Sequence, residues 1–298
     1  MDKIGGLIYL FLYVKDLQTS RDFYEKKLDL KVLEEDSTSV KYDAGGTILA
    51  LNIAKDYGIA PRTKPDDTSI IVFHVDDIDV MRLSLEARDV SFSGETERYD
   101  IGATAIFYDP DGHCLCLYEP SDEAMTWESA DKIRGILASS YAHSGNSDGS
   151  AQTPSLRHRN LIYLFLFVRD VDEAREFYSK KLGLKIVEES PEAGVTKYDA
   201  GGLILATHLV ESEPTARAKE DELEDEKSIA PVFYVEDAEN KYNDLNRSGV
   251  QFVSEISAGK IGKTALLQDP SGHRFYLYEP SKESLNWESG KKIKELLF

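Results

Sequence analysis

Leu7 to Glu35 (LIYLFLYVKDLQTSRDFYEKKLDLKVLEE) and Leu161 to Glu189 (LIYLFLFVRDVDEAREFYSKKLGLKIVEE) are identical at 18 of 29 aligned positions, and this internal repeat constrains the fold more than any other feature. The echo runs on to the end of each half. KYDAGG begins at Lys41 and at Lys197, FYDPDGHCLCLYEPS at Phe107 answers LQDPSGHRFYLYEPS at Leu267, and Trp127-Glu-Ser answers Trp287-Glu-Ser. One structural plan is therefore used twice, in modules expected at residues 1–138 and 160–298. Residues 139–159 are rich in Ser and Gly without apolar periodicity, the composition of a flexible linker. The full length of 298 residues suits two domains of about 150 each.

Each module is itself doubled. In the first quarter, Leu7 to Val14 reads as a strand, and Asp16 caps a helix whose Leu17, Phe23, Tyr24 and Leu28 share a face. Short strands follow at Val32–Leu33, Ser39–Tyr42 and Thr47–Asn52, with Asp43-Ala-Gly-Gly46 as a hairpin turn. The second quarter restarts at Ser69–Val75, runs through a helix at Asp77–Arg88 and closes with strands at Ala103–Tyr108 and Cys114–Tyr118. The pattern is βαβββ, repeated four times. The segments from Met125 to Leu137 and from Leu285 to Phe298 read as amphipathic helices that pack back on their modules, anchored by Trp127 and Trp287.

Two βαβββ units per module, a V-x-D-L strand end before an R-x-F-Y helix, and a closing D-P-x-G-H turn resemble the vicinal oxygen chelate superfamily. That superfamily includes glyoxalase I, extradiol dioxygenases and bleomycin-resistance proteins. The resemblance implies an α+β fold in which each module curls its βαβββ units into a cupped, half-barrel mixed sheet with flanking helices. It also implies, for the metal-dependent members, four cup-facing positions bearing His, Glu or Gln. Carried across, these fall on Tyr9, Ala50, Ile70 and Cys116 in the first module, and on Tyr163, Ala206, Ala230 and Tyr276 in the second. Alanine and isoleucine offer no lone pair and neutral tyrosine is a weak ligand, so neither module is expected to hold the metal. Glu119 and Glu279 lie three residues beyond the last position, on the opposite strand face.

Strand alternation gives the lining instead. Tyr9, Phe11 and Tyr13 should face inward, as should Tyr163, Phe165 and Phe167 in the second module. The other strands add Asn52, His74, Cys116 and Tyr118 to the first cup, and His208, Tyr234, Arg274, Tyr276 and Tyr278 to the second. Aromatic rings with polar tips suit stacking on a planar ligand, although the same stripes also serve as plain core. The small Ala50, Ala206 and Ala230 argue for space. Arg274 stands where the first module has Cys114, and a buried guanidinium needs an anionic partner from protein or ligand unless it reaches the rim. His113 and His273 belong to the D-P-x-G-H turns and are expected to organise them.

Lys+Arg 35 against Asp+Glu 54 leaves a net charge of −19, which repels nucleic acid and anionic membranes. The run Glu220–Glu226 holds six carboxylates, read as a solvated loop or as a means of steering cations. No apolar stretch reaches the roughly 20 residues of a membrane span, and the first strand, with no basic leader before it and no small-residue cleavage site after it, is not expected to be a secretory signal. Cys114 and Cys116, two apart on one strand face, are poorly placed for a disulfide and fit a reducing, cytoplasmic setting. Phosphate-loop, calcium-loop, nucleophile-elbow and zinc patterns are not met. The expectation is thus a metal-free, cofactor-free protein that sequesters an aromatic small molecule, with a cationic one favoured by the acidic surplus. The alternatives are an enzyme of the same superfamily, working through a displaced metal or through His74, His208 or Cys116, and an interaction scaffold. The linker would let the modules pair within one chain as a monomer, with a homodimer the other arrangement.

Overall fold

The structure, a computed structural model, describes residues 4–60, 65, 68–143, 161–210 and 228–297. The first half runs β1 (Leu7–Val14), α1 (Leu17–Arg21) continuing as a π-helical turn (Asp22–Lys27), β2 (Lys31–Glu35), β3 (Ser39–Asp43), β4 (Ile48–Ile53), β5 (Ser69–His74), α2 (Ile78–Glu86), β6 (Glu97–Tyr99), β7 (Gly102–Tyr108), β8 (Cys114–Pro120) and α3 (Ala130–His143). The second repeats the order with β9 (Leu161–Val168), α4 (Val171–Arg175) and its π-helical turn (Glu176–Lys181), β10 (Lys185–Ser190), β11 (Val195–Asp199), β12 (Ile204–Leu209) and β13 (Ile229–Tyr234). It ends with α5 (Ala238–Arg247), β14 (Gln251–Phe252), β15 (Ser257–Gly259), β16 (Gly262–Gln268), β17 (Arg274–Pro280) and α6 (Glu288–Leu297). Helix α3 continues through His143, five residues into the stretch read as linker. The rest of that stretch and the acidic run Glu220–Glu226 lie outside the described residues.

The strands form two mixed sheets, and each draws on both halves. A nine-stranded sheet has the order β14-β16-β17-β13-β1-β4-β3-β2, with β15 pairing β16. An eight-stranded sheet has the order β10-β11-β12-β9-β5-β8-β7-β6. The joints are the antiparallel pairs β1 with β13 and β5 with β9. The cups expected within single modules are therefore shared: the first unit of one half closes against the second unit of the other. The lining changes accordingly. Asn52 joins Tyr234, Arg274, Tyr276 and Tyr278 beside β1, while His74, Cys116 and Tyr118 join His208 beside β9.

The KYDAGG motifs meet where the halves cross over. Leu7 N donates to Ala200 O (2.7 Å) and Leu161 N to Ala44 O (3.0 Å), a reciprocal pair. Gly46 and Gly202 touch backbone to backbone, so that a Cβ on either would lie 1.7 Å from the carbonyl oxygen of the other. Only glycine fits on both sides of such a contact.

On the convex faces, Leu10, Leu12, Leu49 and Phe73 pack against Phe23, Tyr24, Met81 and Leu85 in one large core that spans both halves. The π-helical turns explain how adjacent aromatics can both point inward. Leu28 N donates to Phe23 O and Leu182 N to Phe177 O, five residues back, which widens the turn and buries Phe23 with Tyr24 and Phe177 with Tyr178. Tyr24 Oη then donates to Asp109 Oδ2 (2.9 Å), which also meets His113 Nδ1 (2.8 Å). Tyr178, Asp269 and His273 repeat this arrangement at 2.7 and 2.9 Å. Burial alone would push both carboxyls up, yet the histidine charge and the hydrogen bonds hold Asp109 and Asp269 below the usual range. The D-P-x-G-H turns are thus organised by their histidines, as expected.

Candidate functional site: two cups of unequal character

Alternation along the strands places the predicted residues on the concave faces, with one exception in phase. At the bulge in the β1–β13 pairing both Ile8 and Tyr9 turn inward, and Ile162 and Tyr163 do the same in β9, so Ile8 and Ile162 are lining residues that strict alternation misses. The metal-ligand positions now group as Tyr9, Ala50, Ala230 and Tyr276 in the first cup, and as Tyr163, Ala206, Ile70 and Cys116 in the second. Neither set has an imidazole or a carboxylate. Among the described residues no three His, Cys, Asp or Glu side chains converge as a metal site. The acidic residues that end the last strands are used elsewhere: Glu119 accepts from Ile78 N (2.8 Å) and Glu279 from Ala238 N (2.9 Å), capping α2 and α5 on the convex side. The residues present do not fit a divalent ion.

One end of each cup is filled by the helix that closes a half. In the second cup Ile133 and Ile136 of α3 join the cluster of Cys116, Tyr118 and Tyr163, and in the first Ile293 of α6 joins that of Tyr9, Ala50 and Tyr278. Part of the space beside the small alanines is therefore taken by protein. Each helix thus packs on its own half, as expected, and on the other half as well, to which a matching polar latch ties it. Lys197 pairs with Glu188 (2.5 Å) beneath the Trp127 ring, and Glu188 accepts from Ser129 N (3.1 Å). Lys41 pairs with Glu34 (2.7 Å) below Trp287, and Glu34 accepts from Ser289 Oγ (2.9 Å). Burial raises Glu34 and Glu188, but the lysine and serine contacts outweigh it and keep both carboxyls low. These latch residues escaped sequence reading apart from the repeated Lys41, Lys197 and the two Trp-Glu-Ser motifs that carry them.

The other ends differ. In the first cup Tyr13 and Tyr276 share a hydroxyl hydrogen bond (3.3 Å), Tyr57 packs on Tyr13 with ring centroids 5.0 Å apart, and Tyr57 Oη reaches Asn52 Oδ1 (3.4 Å). Phe11 lies against Tyr276 at 5.8 Å. Burial holds the Tyr9, Tyr13 and Tyr163 phenols well above their ordinary value and pushes Tyr118 up to about 12, so all four are neutral donors at physiological pH. In the second cup a cavity of about 240 Å³ opens between Ile70, Cys114, Phe167 and Tyr108, with Glu95 and Glu97 among its lining residues. His208 stacks beside Phe167 with centroids 5.5 Å apart. His74 lies apart from this cavity, four residues along β5 from Ile70 and level with Tyr118, near Asp76 at 4.0 Å. Cys116 donates weakly to its neighbour's carbonyl, Leu117 O (3.1 Å). His74, His208 and Cys116 thus do not converge on one reacting centre.

Two cupped sheets, each assembled from βαβββ units of both halves and carrying ring-lined concave faces, define a tandem two-module architecture. The chain belongs to the Glyoxalase/Bleomycin resistance protein/Dioxygenase superfamily, whose profile matches residues 6–117 and 160–277. An uncharacterized protein of Bacillus subtilis, YurT, is 31% identical over 121 residues, covering 38% of this chain and 93% of that protein. Glyoxalase I from Zea mays superimposes with a TM-score of 0.61 at 16% identity, over 99% of this chain and 96% of the maize enzyme, a likeness of fold. Among the described residues no helix is long and apolar enough to cross a membrane.

Proposed function

We propose that this is a metal-independent binding protein that sequesters a small aromatic cation in the cavity of the second cup. The observation that carries the reading is the lining itself: ring and aliphatic walls from Phe167, Tyr108 and Ile70, with Glu95 and Glu97 at the same opening. Rings stack on the walls, and the carboxylates attract and orient positive charge. A volume of about 240 Å³ suits one or two fused rings rather than a large drug. Sequestration asks for affinity without a reacting group, so metal positions that lack imidazole and carboxylate are no handicap to it.

Titration with N-methylquinolinium, a planar two-ring cation, tests the proposal by calorimetry. Wild-type protein should bind it saturably, Phe167→Ala should weaken binding by about ten-fold or more through the lost stacking, and Glu97→Gln should weaken it less while flattening the salt dependence. Binding that ignores both substitutions would remove the cavity from the account.

A further inference from the structure

The two cups share a backbone but not a charge. The wall that carries the cavity in the second cup has a counterpart in the first, position for position: β8 answers β17, β6 answers β15, and the end of β9 answers that of β1. Along it Cys114 becomes Arg274, Glu97 becomes Ser257, and Phe167 becomes Tyr13, while Glu95 is kept as Glu255. One carboxylate is lost and a guanidinium gained. Arg274 lies on the concave face of β17, because Phe275 and Leu277 on either side of Tyr276 are buried in the convex core. It forms no ion pair among the described residues and remains half-buried, and its positive charge is felt by the Tyr13 phenol. The Tyr13 and Tyr276 hydroxyls, 3.3 Å apart, stand at the same end of the cup.

A guanidinium beside the Tyr276 hydroxyl, which accepts from Tyr13 and keeps its own proton to donate, presents hydrogen-bond donors to an acceptor of negative charge, and a fork of this kind matches a carboxylate. Phenyl and phenol faces of Phe11 and Tyr276 supply the stacking surface. We propose that the first cup is a second, separate ligand site, specific for an aromatic carboxylate that pairs with Arg274, and that the halves have diverged to opposite charge preference. This goes beyond the cation site and does not depend on it.

The test uses naphthoate, a two-ring anion close in shape to N-methylquinolinium, titrated into the full chain by calorimetry. Wild-type protein should bind naphthoate at one site per chain. Arg274→Cys, which installs the residue found in the other cup, should weaken it about ten-fold or more, and Arg274→Lys should fall in between, since the point charge survives but the fork does not. Quinolinium affinity should be unchanged in Arg274→Cys, and naphthoate should not displace quinolinium. No saturable naphthoate binding to wild type, affinity untouched by Arg274→Cys, or mutual displacement of the two probes would each overturn the proposal. If Arg274→Cys does not fold, the lysine variant decides: unaltered naphthoate affinity overturns the proposal. Loss of quinolinium binding alone sinks the cation site and leaves this one standing.

Discussion

Gly46→Ala should loosen the junction of the two halves by a single methyl group. The added Cβ would sit 1.7 Å from Gly202 O, 2.4 Å from its carbonyl carbon and 2.7 Å from its Cα, all backbone atoms that no rotamer change can move. Gly46 has an ordinary φ, so the penalty is steric. Overpacking costs about 1–3 kcal/mol where side chains can yield. Here the strands must part, straining the Leu7–Ala200 and Leu161–Ala44 hydrogen bonds, each with a net value of about 1 kcal/mol. The expected loss is about 3–5 kcal/mol, and Gly202→Ala should match it. Gly135→Ala is the control: in the exposed part of α3 nothing stands within 4 Å of a new Cβ, and the change should stabilise by up to about 1 kcal/mol. Urea unfolding followed by Trp127 and Trp287 fluorescence would measure all three. A Gly46→Ala midpoint indistinguishable from wild type would refute the crossed pairing of the halves.

Other consequences follow from the same geometry. Glu188→Gln leaves the nearly buried Lys197 ammonium without its carboxylate and should cost about 3 kcal/mol in thermal unfolding, whereas Asp131→Asn, at an exposed pair with Arg134, should change little. Asp109 and Asp269 are held low in the folded state, so their contribution is complete above the ordinary carboxylate value of about 4 and is lost as pH falls through the depressed folded values. Stability measured by urea titration from neutral pH downward should therefore drop steeply in the acid range, and Asp109→Asn should flatten that limb; an unchanged slope would contradict the assignment. Manganese, nickel or zinc should leave the melting midpoint in place, whereas a true site at a hundred times its Kd would add about 2.7 kcal/mol.

Much of this was legible in the sequence, for identifiable physical reasons. The period of two along β1, β9 and β17 separated cup from core, because one wrong step would have put Leu10 or Phe275 in the cup and Tyr9 or Tyr276 in the core. It missed Ile8 and Ile162, since a bulge breaks the period without leaving a glycine or proline to mark it. The crossing of the halves was hidden for a different reason. Four units of one βαβββ plan satisfy the same hydrophobic pattern whichever unit lies beside which, and the choice shows in the pairing of β1 with β13 and β5 with β9 and in the Gly46–Gly202 contact. The Lys197–Glu188–Trp127 latch joins residues far apart in the chain that no local pattern links. The unequal ends of the cups were half visible: Arg274 opposite Cys114 announced the asymmetry, but the cavity depends on how Phe167, Ile70 and Tyr108 sit together in three dimensions.

The most direct measurement is a calorimetric titration of N-methylquinolinium into untagged protein, run once after exhaustive chelation and once with added manganese, nickel or zinc. The account predicts saturable binding at one site per chain, with the same affinity in both conditions. Binding that appears only with a divalent metal, or no saturable binding in either, would contradict it.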